Sequence, residues 1–228
     1  MLEVIVDLNL KDKKVLVIGA GVEATKRIKV LSKQGCQIII LSDSISEALY
    51  ELDHDLRHPI LIIKRKVEDI NLFNDFDNIF LVLAATSDSE LNEKIVIEAK
   101  KRNILSYNIT NSLSGDIYFT SMINFDDVIQ VSISTSGKSP LMSKLIRDRL
   151  EDTIKNIIGQ KDIDNIKVQE FARQQVKRYI QDQEQRRKFL YSLIEDDNIQ
   201  ELILKKNIDK VKERIITTLG KWEGSKIE

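Results

Sequence analysis

Gly19, Gly21 and Ala24 stand at the spacing G-x-G-x-x-G/A, in the run Gly19-Ala20-Gly21-Val22-Glu23-Ala24. That arrangement suits phosphate chemistry. Gly19 permits a tight turn, Gly21 lets a pyrophosphate approach the backbone, and Ala24 allows a helix to pack closely on a strand. Val22 and Glu23 open that helix, where N–H groups without intrahelical acceptors and a partial positive charge meet the phosphates. Downstream, Asp43 with Ser44 beside it can accept hydrogen bonds from both hydroxyls of an adenosine ribose, and the carboxylate repels a 2′-phosphate. NAD is therefore expected as cofactor in preference to NADP. Asp43 also has the chemistry of a helix cap, as do Ser42, Ser44 and Ser46. A second candidate is Thr86-Ser87-Asp88, because ligands in open α/β sheets bind where strands end.

These residues need a scaffold of alternating elements. Val15 to Ile18 is a continuous apolar run, as expected of a parallel strand covered on both faces. Gln37 to Ser42 reads as the second strand, Ile60 to Ile63 as the third with its boundary at Pro59, Asn78 to Ala85 as the fourth and Ile104 to Ile109 as the fifth. Leu2 to Leu8 reads as a short strand or extended lead-in. Ser89 to Arg102 is expected to be a helix, with Leu91, Ile95, Val96 and Ala99 on one face. A nucleotide-binding sheet is thus complete by about residue 111. The pattern then changes: Asp116 to Met122 and Asp127 to Thr135 read as a hairpin outside the parallel sheet, turning at Ile123 to Asp126. From Ser139 the chain is helical, with Pro140 in the first turn of one helix and others expected near 162–182, 184–194, 197–205 and 207–219. The fold class expected is α/β: a Rossmann-like parallel-sheet domain over 1–112, a β-hairpin region over 113–138 and an all-α domain over 139–228.

Composition bounds the rest. The 228 residues are 42% hydrophobic with a net charge of −1, enough apolar material for a core and too little charge for a nucleic-acid protein. Residues 1–140 carry 16 basic against 20 acidic side chains, and residues 141–228 carry 19 against 16. This mild excess in the second part suits a small polyanion or simply a charged helical surface. Cys36 is the only cysteine, which excludes an intrachain disulfide and a cysteine-based zinc site and fits a reducing cytoplasm. It is expected to be buried. His54 and His58 are expected at the surface, no metal site is expected, and no apolar run is long enough to span a bilayer.

Taken together, the segments resemble the precorrin-2 dehydrogenases and sirohydrochlorin ferrochelatases of siroheme synthesis. The resemblance rests on Leu8 to Glu23 leading into Ala24-Thr25-Lys26-Arg27, on Ala84 to Asp88 with Leu91-Asn92, on Tyr107-Asn108-Ile109, and on Ser134 to Pro140 followed by Lys144 to Glu151, with a weaker match at Arg186 to Phe189. It implies an NAD-binding domain, a hairpin that interlocks two subunits, and a helical domain closing over a tetrapyrrole. It further implies oxidation of precorrin-2 to sirohydrochlorin, with a hydride passing to nicotinamide and a proton released. The apolar hairpin residues Ile117, Phe119, Val128, Ile129, Val131 and Ile133 then need a partner surface, and a homodimer supplies one. Precorrin-2 bears many carboxylates, so Lys138, Lys144, Arg147 and Arg149 are candidates to grip it, with a solvated helix face as their other role. Ser139 matches a contact or modification position and is equally an ordinary helix N-cap.

One departure bears on mechanism. Where family members commonly carry an aspartate, this chain has Asn111, and an amide cannot act as general base at neutral pH. Asn111 can still orient a propionate, and Asp116 is the nearby carboxylate that could substitute if the intervening loop folds back. The departure weakens ferrochelation, which removes two pyrrole protons, more than dehydrogenation. A bifunctional dehydrogenase and chelatase, or an NAD-sensing module without chemistry, are the alternatives.

Overall fold

The structure is a computed structural model that describes residues 4–54 and 60–222. The side chain of His54 and all of His58 and Pro59 lie outside the described residues. Two compact units emerge, one formed by residues up to 120 together with Ser134–Ser139, the other by Ser121–Ile133 and the chain from Pro140 onward.

The first unit is built on five parallel strands, β1 (Lys14–Ile18), β2 (Gln37–Ser42), β3 (Leu61–Lys64), β4 (Ile79–Ala84) and β5 (Leu105–Asn108), in the order β3-β2-β1-β4-β5. Helices α1 (Val22–Leu31), α2 (Glu47–His54) and α3 (Ser89–Lys101) connect them. Successive side chains point to opposite faces of a strand, so the unbroken apolar run of β1 feeds two cores. Val15 and Val17 join Ala24, Ile28 and Leu31 of α1 on one face. Leu16 and Ile18 join Leu91, Ile95, Val96 and Ala99 of α3 on the other. Each such fully buried Leu or Ile contributes about 2 kcal/mol relative to exposure. Residues 4–8 form no strand, and Leu8 packs against the first core. Burial pushes the Cys36 thiol above its ordinary pKa, and the thiol donates to Leu31 O at 3.3 Å, so it packs as a small core residue.

The second unit holds a two-stranded antiparallel hairpin, β6 (Ser121–Phe125) and β7 (Ile129–Ile133), and helices α4 (Pro140–Ile157), α5 (Gln160–Tyr179), α6 (Gln183–Glu195), α7 (Asp197–Leu204) and α8 (Ile208–Gly220). The hairpin is shorter than its apolar pattern predicts. Ile123 and Phe125 lie within β6, and the turn falls at Asp126 and Asp127, both in the left-handed region. Residues 116–120 are not strand, because the backbone of Asp116 and Ile117 bonds back to Ser106 O. The hairpin's apolar side chains find much of their cover within the chain: Ile123 and Phe125 pack with Ile163 of α5 and Ile154 of α4, and Val128, Ile129 and Val131 lie against them. Ile117 and Phe119 join the sheet core instead. A second subunit is therefore not required on the ground that an isolated hairpin lacks support.

The remaining helices bury stripes at helical spacing: Val168, Ala172 and Val176 of α5, Phe189 and Leu193 of α6, and Val211, Ile215 and Leu219 of α8. Trp222, set in a polar tail of the sequence, meets Phe189 edge to face at 5.2 Å. Among the described residues no helix is long and apolar enough to cross a membrane.

Asp196 ties three of these helices together. It caps α7 by accepting from the N–H groups of Asn198 and Ile199, and Arg214 of α8 donates to both its oxygens. Burial raises the carboxyl pKa, but Arg214 and the two N–H groups outweigh it and hold the group below the usual carboxylate range. A depressed folded pKa supplies stability above the unfolded value of about 3.9 and loses it as pH falls through the folded value. Asp196→Ala is expected to cost about 1 to 2 kcal/mol at neutral pH in urea unfolding, and to flatten the decline of stability below about pH 4.

Candidate functional site

The glycine turn sits at the reversal in strand order, where β1 continues to β2 on one side and to β4 on the other. Gly19 has φ +105°, and a Cβ there would lie 2.3 Å from Ala85 O. Its N–H donates to Leu41 O at 2.8 Å, while Ala85 N–H donates to Ile18 O at 2.8 Å. Only a residue without a side chain fits between these strand ends. Gly21 differs. Its φ of −73° suits any residue, and nothing lies within 4 Å of the position its Cβ would take. The space is open beside the N-terminus of α1, which has no side-chain cap, and Val22 next to it is exposed. Such a cradle fits a dinucleotide pyrophosphate. Glu23 pairs with Lys26 at 2.5 Å, which offsets its negative charge at this helix end.

The loop after β2 is held against that turn. Ser46 N–H donates to Ala20 O at 3.1 Å, and the Ser46 hydroxyl meets the Thr25 hydroxyl at 2.9 Å. Ser42 donates to Ser44 O at 2.6 Å. Asp43 and Ser44 stand exposed at the end of β2, with the Ser44 hydroxyl donating to Asp43 at 3.3 Å. Asp43 is no helix cap here, because α2 begins only at Glu47.

At the ends of β4 and β5 two buried amides organise the backbone. Asn92 of α3, fully buried, accepts from Thr86 N–H at 3.1 Å and from the Thr86 hydroxyl at 2.7 Å, and donates to Thr86 O at 3.0 Å. The Thr86 hydroxyl is thereby committed inside the protein, and of the Thr86-Ser87 pair it is Ser87 that stands exposed. Asp88 caps α3 through the N–H groups of Glu90 and Leu91. Asn108, also fully buried, accepts from Thr110 N–H, the Thr110 hydroxyl and Asn111 N–H, and donates to Glu93 and to the Ser114 hydroxyl. Its five bonds shape the turn that exposes Asn111. Both amides stand in motif segments of the sequence, Ala84 to Asp88 with Leu91-Asn92 and Tyr107-Asn108-Ile109, whose spacing does not by itself reveal a hub role. A polar residue inside the apolar face Leu91-Ile95-Val96-Ala99 was the available signal.

Asp116 is held elsewhere. Its carboxylate accepts from the Ser106 N–H at 3.0 Å and hydroxyl at 2.6 Å, and Lys100 lies 3.6 Å away. The loop after Asn111 does fold back, but it lands on Ser106, two residues before the strand end at Asn108.

The segment Ser134–Ser139 belongs to this same unit. Ser136 and Gly137 are both left-handed, and a Cβ on Gly137 would stand 3.2 Å from Leu113 and 3.7 Å from the Ser112 hydroxyl. This packing sets the loop carrying exposed Lys138 against the turn that follows Asn111. Ser139 N–H donates to the Thr135 hydroxyl at 3.1 Å, just before α4. Lys144 and Arg147 lie on α4 in the other unit: Lys144 is exposed, and Arg147 Nε donates to Asp148 at 2.9 Å. Arg27 of α1 has a structural role. Its guanidinium lies 4.8 Å from the Phe119 ring and 5.7 Å from Tyr107, locking α1 to the stretch before the hairpin. Among the described residues no group of three or more His, Cys, Asp or Glu could hold a metal.

Comparison with known proteins agrees with this architecture. A family model described as putative NAD(P)-binding matches residues 6–121, and one described as sirohaem biosynthesis protein central matches residues 126–153. Siroheme synthase 1 of Yersinia enterocolitica is 29% identical over 181 residues, covering 79% of this chain and 36% of that protein. Siroheme synthase 1 of Serratia proteamaculans is 31% identical over 152 residues, covering 67% and 30%. The chain thus spans about a third of the length of these relatives. Among solved structures, one titled SirC, precorrin-2 dehydrogenase, superposes with a TM-score of 0.68 at 22% identity, over 96% of this chain and all of that one. That likeness shows a shared fold.

The two glycines separate structure from binding. Gly19→Ala is expected to lose about 2 kcal/mol or more of stability, since it combines a left-handed φ with a clash against backbone. Gly21→Ala should leave stability unchanged or raised by about 0.5 kcal/mol, while weakening NAD binding because a methyl enters the cradle. Urea midpoints beside calorimetric NAD titrations measure both.

Proposed function

The chain belongs to the family described as putative NAD(P)-binding and is similar to siroheme synthases, and from that premise we propose that it is an NAD-dependent precorrin-2 dehydrogenase. In this reading it converts precorrin-2 and NAD⁺ to sirohydrochlorin, NADH and a proton. The similarity to siroheme synthases and to the solved precorrin-2 dehydrogenase supports the substrate, and the open Gly21 cradle supports the cofactor. The observation that carries the reading is the packing of Gly137 on Ser112 and Leu113, which joins the Lys138 loop to the Asn111 turn within the dinucleotide-binding unit.

Nicotinamide, when bound, accepts the hydride. The protein's part is binding and alignment. The first N–H groups of α1, at Val22 and Glu23, meet the pyrophosphate, with Gly19 and Gly21 keeping the backbone clear. Asp43 and Ser44 accept and donate at the ribose hydroxyls, and Asp43 disfavours a 2′-phosphate. Thr86 acts through its backbone, since Asn92 holds its hydroxyl, and Ser87 offers an exposed hydroxyl. Lys138 and Ser139 grip a substrate carboxylate, and Lys144 and Arg147 are assigned others, Arg147 after exchanging its Asp148 partner.

Asn111 orients a propionate through its exposed amide and moves no proton. Asp116, with two hydrogen bonds and Lys100 beside it, serves the fold; the proton lost from the macrocycle passes to water once the hydride has left. Two pyrrole protons would need an acceptor that neither residue offers, so the proposal stops at dehydrogenation. A homodimer is part of it, because α4 leaves Leu141, Leu145 and Leu150 exposed along its length.

Anaerobic incubation with precorrin-2 and NAD⁺ is expected to yield NADH and sirohydrochlorin in equal amounts. NAD binding without any spectral change in the macrocycle would reduce the protein to a nucleotide sensor. Asp43→Ala should weaken NAD roughly tenfold, the scale of one charge-assisted hydrogen bond. Lys138→Ala should raise KM for precorrin-2 with kcat little changed. Sedimentation velocity should give a dimer mass; a monomer at all concentrations would remove that part.

A further inference from the structure

The chain leaves the edge strand β3 through three successive cations, Lys64-Arg65-Lys66, next to the loop assigned to the adenosine ribose. β3 pairs with β2, and the last registered pair is Ser42 with Lys64. Arg65 N–H then donates to Ser42 O at 2.9 Å, so the ladder runs one bond past the strands. Because the two strands are parallel, residues 65 and 66 emerge beside Asp43 and Ser44, at the carboxyl end where ligands of such sheets bind.

This segment is held at several points. Arg65 pairs with Asp75 at 2.7 Å, Val67 packs on the core that contains Leu16 and Ile18, and Asp69 caps the short 3-10 helix Ile70–Asp75 by accepting from Asn71 N–H at 2.9 Å. Between these anchors Lys66 and Glu68 are exposed and pair with each other at 2.7 Å. An ion pair this open to water is weakly held and readily exchanged. The Lys66 ammonium has its pKa raised first by Glu68, which bonds and attracts it, and further by the Asp43 carboxylate. Lys66 and Asp43 therefore act on the same local field. Lys66 pairs with Glu68 rather than with Asp43, which leaves the Asp43 carboxylate to the ribose hydroxyls.

These charges act oppositely on the two forms of the dinucleotide. A ribose with both hydroxyls free is bound by an acceptor, and Asp43 is one. A 2′-phosphate carries about two negative charges, so it is repelled by Asp43 and attracted by an ammonium that can leave Glu68 for it. Arg65, whose guanidinium faces Asp75, and the exposed Lys64 add background charge of the same sign.

We propose that Lys66 is a specificity determinant of the dinucleotide site, a latent 2′-phosphate contact that Asp43 overrides and Glu68 holds in check. This rests on the dinucleotide reading above and deepens it: preference for NAD over NADP is a balance between one carboxylate and one neighbouring ammonium.

A double-mutant cycle tests the balance, with Asp43→Ser, Lys66→Gln and their combination made in the full chain and each titrated calorimetrically with NAD and NADP. Asp43→Ser should shift the ratio of the two Kd values towards NADP by at least tenfold, and adding Lys66→Gln should weaken NADP roughly tenfold while NAD changes less than twofold, the scale of one charge-assisted hydrogen bond. Lys66→Arg in the Asp43→Ser background should keep the NADP affinity. Salt should weaken NADP more than NAD in Asp43→Ser, since the contact is exposed. Melting curves unchanged from the parent show that the surface substitutions leave the fold intact. NADP affinity that is the same in Asp43→Ser with and without Lys66→Gln overturns the proposal, as does an equal loss of NAD and NADP. NADH formation from precorrin-2 and NAD⁺ by the unaltered protein is measured in parallel. Loss of NADP affinity on adding Lys66→Gln, without NADH formation, leaves Lys66 in its role and removes the dehydrogenase; NADH formation with NADP affinity indifferent to Lys66 does the reverse.

Discussion

The contact between Gly19 and the backbone of Ala85 governs the dinucleotide-binding unit. At this point β1 must leave the sheet, turn into α1, and still hydrogen bond β2 on one side and β4 on the other. The turn satisfies Leu41 O through Gly19 N–H, Ile18 O is satisfied by Ala85 N–H, and the Cβ of any other residue would stand 2.3 Å from Ala85 O. Because buried backbone groups must find partners, closing the turn this tightly lets the strand ends stay paired while leaving an open space at Gly21. The packed glycine and the open one are two residues apart, and their environments are opposite.

From that contact the other parts of the candidate site are positioned by short polar links. Ser46 and Thr25 pin the loop of Asp43 to the glycine turn. Asn92 and Asn108 replace the hydrogen bonds that the chain loses where β4 and β5 end. A buried amide with all its partners is stabilising, while one stripped of them costs roughly 1–3 kcal/mol, so these asparagines fix the loops in one conformation. Asn111 is exposed because Asn108 holds its backbone, and Asp116 is withdrawn because Ser106 and Lys100 hold its side chain. Hydrogen-bond partners, and not residue type alone, set which of the two side chains is exposed.

The helical unit follows a different logic. Its helices are specified by apolar stripes and by the caps Asp182, Asp196 and Asn207, each accepting from N–H groups of the next helix.

Apolar periodicity and glycine spacing were enough to read the five strands, the helix after the glycine turn, the change to a helical second part, and Asp43 at the end of β2. These features depend on residues close in sequence, where the 3.6 and 2.0 periods speak directly. Asp116 to Thr120 look strand-like in sequence but are claimed by Ser106, and the cover of the hairpin by α4 and α5 joins residues twenty or more apart. The same holds for the meeting of Gly137 with Leu113, the withdrawal of Asp116, the hub roles of Asn92 and Asn108, and Trp222 on Phe189. By itself the sequence determined the elements and the dinucleotide motif, because local spacing dictates both. Which side chains face a ligand and which are consumed in holding the loops was decided only by the tertiary structure, because a hydrogen bond or a stacked ring depends on where a distant residue comes to rest.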